Sequence, residues 1–152
     1  MKRLVLGIAI VCSTFFYYGC KEKAPKKTEE KKVVTVDPAF VGIWKGQDYA
    51  TDVESATEQT VNAGKAVTKA TSYKLNNDGS FVEKVLEFES NGTWEYNADS
   101  STFFLKYAEK NGPNDRSETL YKVESINDSL LVLKFKLQNY GYEVYTFKKS
   151  NN

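Results

Sequence analysis

The sequence predicts an all-β domain, an eight-stranded antiparallel up-and-down barrel, on three observations. Short runs rich in Val, Thr, Tyr and Phe alternate apolar with polar residues. Clusters of Asn, Asp, Gly and Ser interrupt them at roughly 8–12-residue intervals, the spacing of hairpin-linked strands. An open meander of that many strands would leave two unpaired margins, and joining the last strand to the first removes them.

The 152 residues divide into three parts. Residues 1–19 begin with Lys2 and Arg3, continue through an apolar run from Leu4 to Tyr18 and end at Gly19, the layout of a secretory signal. The apolar run is about 15 residues, short of the roughly 20 that a spanning helix needs. Residues 20–37 open with Cys20 and continue as a charged tether too polar to bury, with six Lys against three Glu between positions 21 and 32. Residues 38–152 remain for the barrel.

A small residue directly before a Cys at the end of an apolar run resembles a bacterial lipobox. That resemblance implies cleavage before Cys20, acylation of its thiol and anchoring in the outer membrane of a Gram-negative bacterium, facing the periplasm, with the cell surface as the alternative. Cys12 follows the bulky Val11 and would leave with the signal. The folded part then holds no cysteine, which excludes disulfides, thiolate chemistry and Cys-based metal sites within it.

Strands are predicted over 43–50, 71–75, 80–88, 92–96, 102–107, 118–126, 130–138 and 143–148. Between the first two, Val53, Ala56, Thr60, Ala63, Val67 and Ala70 recur every three or four residues. This predicts a helix or long flap beside one end of the barrel, weakened by Gly64. Alternation assigns an interior: Leu131, Leu133, Phe135 and Leu137; Phe103, Leu105 and Tyr107; Trp94 and Tyr96; Tyr121 and Val123; Tyr145 and Phe147. Trp44 is expected to turn inward and plug the closed end, burying roughly 200 Å². Gly42 and Gly46 on either side of it would let the backbone bend or approach a neighbour.

Gly42-Ile43-Trp44 at the start of the first strand resembles the Gly-x-Trp motif of the lipocalin family. Gly92-Thr93-Trp94 echoes it, and the sequence EVYTFKK (143–149) looks like the closing strand of small bacterial lipocalin-like lipoproteins. The resemblance implies a small hydrophobic or amphiphilic ligand held in the barrel, with Trp94, Tyr96, Phe103, Tyr107, Tyr121, Phe135 and Tyr145 as candidate lining. It also implies a basic residue, Lys148 or Lys149, packed over Trp44. A barrel filled by its own side chains and contacting an envelope partner is the alternative.

Composition removes other classes of function. His is absent, and with it the commonest acid-base residue and metal ligand. Glu83 and Glu87 lie two strand positions apart twice over and so on one face, but their spacing marks no catalytic pair. With Glu89 and Glu95 they read as a solvated acidic strip relieved by Lys84. The turn NNDGS (76–80) lacks the ligand positions of a calcium loop. No catalytic residue, metal or cofactor is expected. Nucleic acid is not an expected partner, because the folded part is slightly acidic.

Overall fold

Eight strands form one closed antiparallel barrel in sequence order, in a computed structural model that describes residues 36–108 and 117–150. The signal, Cys20, nearly all of the tether and the 110–115 connection lie outside the described residues. The strands are β1 (Gly42–Thr51), β2 (Thr71–Leu75), β3 (Ser80–Val85), β4 (Phe88–Asn97), β5 (Thr102–Tyr107), β6 (Glu118–Ile126), β7 (Leu130–Leu137) and β8 (Gly141–Ser150). Closure runs through β1, which pairs with β2 over its first four residues and with β8 along nearly its whole length. Among the described residues no helix is long and apolar enough to cross a membrane.

The alternation of side chains converts this register into a core. Trp44, Trp94, Phe103, Leu105, Tyr121, Val123, Leu131, Leu133 and Phe147 are all buried, as the period-two pattern requires. Leu137 is half-buried, near the end of β7. Four large buried side chains of the strands were not in the predicted interior: Tyr49, Tyr73, Leu75 and Phe81. Tyr73, Leu75 and Phe81 continue the alternation of their strands, whereas Tyr49 joins Trp44 on the inner face through a register shift between Gly46 and Asp48 in β1.

The third and fourth strands differ from the prediction. Residues 80–88 do not form one strand, and 89–91 do not form a break: β3 stops at Val85, Leu86 and Glu87 turn the chain, and Val85 pairs with Phe88. Leu86 takes a positive φ of 56° and donates its N–H to the Ala70 carbonyl, an anchor supplied by a distant segment. A turn made from Leu and Glu carries none of the usual turn residues, so composition hides it.

Helix α1 (Glu58–Lys69) joins β1 to β2. Thr57 caps it, its hydroxyl accepting from the Thr60 N–H at 3.2 Å. The face turned to the barrel is Val61, Gly64, Lys65 and Thr68, not the predicted stripe, and Val67 is left exposed. Close approach decides this. A Cβ on Gly64 would sit 2.4 Å from the Tyr49 ring, and one on Gly46 would overlap the Thr68 carbonyl oxygen. Gly64, read as a weakness of the helix, is its docking point, and Gly46 is the matching recess in β1.

Candidate functional site

The two ends of the barrel are built from different residues. At the lower end, where the chain enters, the segment before β1 turns tightly: the Ala39 N–H donates to the Asp37 carboxylate, the Phe40 N–H to the Asp37 carbonyl and the Val41 N–H to the Pro38 carbonyl. This drives Phe40 into the barrel, where it is wholly buried. Its ring stacks on Phe103 with centroids 5.3 Å apart and lies 4.5 Å from Tyr96 and 5.8 Å from Trp94. The stopper at this end is therefore Phe40. Trp44 lies behind it and donates its indole N–H to the Phe40 carbonyl at 2.6 Å.

Lys149 is the basic residue over the Trp44 ring, with Nζ 5.1 Å from the centroid. Its ammonium also donates to the Ala39 carbonyl at 3.3 Å, which ties β8 to the stopper segment. Its neighbour Lys148 faces away and is exposed. Trp94, Tyr96 and Phe103, three of the candidate lining residues, are thus brought together around Phe40 at the lower end.

The other four, Tyr107, Tyr121, Phe135 and Tyr145, gather toward the upper end. Tyr121 lies 5.8 Å from Phe135 and 6.0 Å from Tyr145, ring to ring. Tyr107, Phe135 and Tyr145 are only half-buried, so this end reaches solvent. Two inward carboxylates, unrecognised in the sequence reading, organise the phenols. Glu143 accepts from Tyr49 at 2.8 Å and from Tyr145 at 2.6 Å. Glu83 accepts from Tyr73 at 2.8 Å, and Tyr107 lies beside it.

Glu83 is accordingly no part of a solvated strip. It faces inward two positions after Phe81, whereas Glu87 is in the exposed turn, so the two do not share a strand face. The strand pattern contained the signal for both carboxylates: Glu143 precedes Tyr145 and Phe147 at the same parity. Polarity overrode parity in assigning Glu83 outward, and the phenol donors are what make an inward carboxylate tolerable.

The same contacts hold the phenols neutral. Burial, then the hydrogen bond and negative charge of Glu143, push Tyr49 up to about 12. Burial first, and the Glu143 bond second, raise Tyr145 further. Tyr73 is raised well above the ordinary tyrosine value by burial, with Tyr121 and Glu83 adding to it, and Tyr107 is raised by burial and by Glu83. The upper interior is therefore a wall of neutral O–H donors around two carboxylates.

A closed eight-stranded antiparallel barrel with one helix after its first strand and a tryptophan at its sealed end defines a lipocalin-like fold. A solved structure agrees. The chain is similar to a lipocalin-like protein from Bacteroides uniformis, at 17% identity and a TM-score of 0.56 over 74% of this chain and 99% of the other. A DUF4847 family protein from Bacteroides vulgatus matches at 11% identity and a TM-score of 0.49, over 81% of this chain and 98% of the other. No protein-family model and no curated protein matches the sequence.

Proposed function

We propose that this protein is a non-catalytic, lipid-anchored carrier that takes a small amphiphilic molecule into the upper end of its barrel. The observation that carries the reading is the contrast in closure. Phe40, Trp44, Trp94 and Phe103 are at most 1% exposed at the lower end, while Tyr107, Phe135, Glu143 and Tyr145 stay partly open to solvent above. An apolar wall with a few convergent polar groups is the usual recipe for a small-molecule site, and the lipocalin-like fold supplies the container. The alternative, a filled barrel acting only through its outer surface, leaves the inward carboxylates and their phenol partners without a purpose.

Anchoring through Cys20 to the outer membrane, with the barrel in the periplasm, is the cellular part of the proposal. Its support is the signal layout and the Gly19-Cys20 pair.

One preparation tests both parts. The full chain, recovered from the membranes of a bacterial host fed labelled palmitate, should carry the label, and the Cys20→Ser variant should not. Native mass spectrometry of the same protein should show a bound small molecule. Label persisting in the variant sinks the anchor, and a barrel that is empty and binds no amphiphile of any charge sinks the carrier.

A further inference from the structure

The ligand site described above has a charge preference. It takes two carboxylates into one barrel interior, and among the described residues no Lys or Arg occupies an inward strand position above the level of Trp44. Lys149, the inward cation of β8, stands at the sealed end over Trp44. Lys65, the basic residue on the barrel-facing side of α1, pairs with Asp48 at 3.9 Å. The phenols that bond Glu83 and Glu143 are neutral donors: they offset part of the cost of burying the carboxylates but leave the negative charge uncancelled. Each carboxylate oxygen bonded by a phenol retains a second lone-pair direction.

A second observation points to the same chemistry. Thr119, on the inner face of β6 opposite Leu105, is 4% exposed, and its Oγ1 finds no hydrogen bond of normal geometry, the Tyr107 phenol beside it being its polar neighbour. A buried hydroxyl without a well-placed partner is costly, and its oxygen can accept from a donor brought in by a ligand. It sits in the same region as Glu83, through Tyr107. The carboxylates and the Thr119 oxygen of this wall can all accept, and the flanking rings of Tyr121, Phe135 and Tyr145 present faces that favour a cation.

We propose that the upper interior recognises a protonated amine on an apolar body, the ammonium drawn to the inward carboxylates Glu83 and Glu143 while the apolar part lies against the aromatic wall. This rests on the carrier reading, and it excludes fatty acids as the preferred occupants, because their carboxylate would meet two others.

The test uses three amphiphiles of equal chain length below their micelle concentrations: dodecylamine, dodecanoate and dodecyl maltoside, titrated calorimetrically into the full chain and into Glu83→Gln and Glu143→Gln. Dodecylamine should bind at least about tenfold tighter than dodecanoate, and each variant should lose about tenfold for the amine, the scale of one charged hydrogen bond. Each variant should weaken dodecyl maltoside less than it weakens the amine. Tighter binding of dodecanoate, or equal binding of all three with no effect of either variant, overturns the amine assignment and leaves the carrier intact. Failure of all three to bind removes the carrier and this inference with it. The ranking on the unaltered chain decides the matter even if a variant does not fold.

Discussion

The lower end of this barrel is held by rings and the upper end by hydrogen bonds to carboxylates. Below, Phe40, Trp94, Tyr96 and Phe103 pack face to face or tilted around one another, and a single cation, Lys149, lies across the indole behind them. Above, Tyr49 and Tyr145 converge on Glu143 and Tyr73 on Glu83. Both ends are aromatic, so aromatic content alone does not separate structure from site. What separates them is where the polar end of each ring goes. Indole N–H groups below donate to backbone carbonyls of Phe40 and Asn76, contacts that seal the chain to itself, whereas the phenols above are spent on side-chain acceptors with capacity to spare.

The contrast can be broken most forcefully from below. Trp44→Ala should destabilise by about 3–5 kcal/mol, the cost of a large core truncation, read as a lower midpoint in denaturant unfolding. A loss under about 1 kcal/mol would show that the sealed end does not depend on the indole. The upper end should respond instead to alkali. Tyr49 is raised from its ordinary 10.0 to about 12, so its contribution is complete below pH 10 and is lost as pH rises toward 12. Thermal melting should decline through that window, with tyrosinate absorbance from the buried phenols appearing only as the chain unfolds. Phenols that titrate freely near their ordinary value would contradict the hydrogen-bonded wall. The smallest effect belongs to Lys149→Met, about 0.5–1 kcal/mol for a partly exposed cation over a ring, measured in the same denaturant series. No change at all would leave the packing of Trp44 independent of its cation.

Most of the fold was legible because strand parity holds outside the register shifts at Gly46/Asp48 and Val123/Ser125. Fixing Phe103 and Leu105 inward placed their neighbours, and β2, β5 and β6 have the predicted bounds. Two features escaped for physical reasons. The Leu86-Glu87 turn is held by the Ala70 carbonyl, a partner that no local pattern reveals. The face of α1 is chosen by the smallness of Gly64 and Gly46, so a reading that sought apolar residues turned the helix the wrong way. Of the site, the aromatic members were found and the acidic ones were not. Glu83 and Glu143 break the rule that charge faces water, and only the phenols that converge on them from neighbouring strands explain why.

Phe40 precedes the first strand, so the cork of this vessel is strung on the same thread that would moor it. Trimming the amino terminus past Pro38 therefore does more than release the protein from its berth. It unseats the cork, and a tube draining at both ends would be a poor guide to what the intact molecule retains.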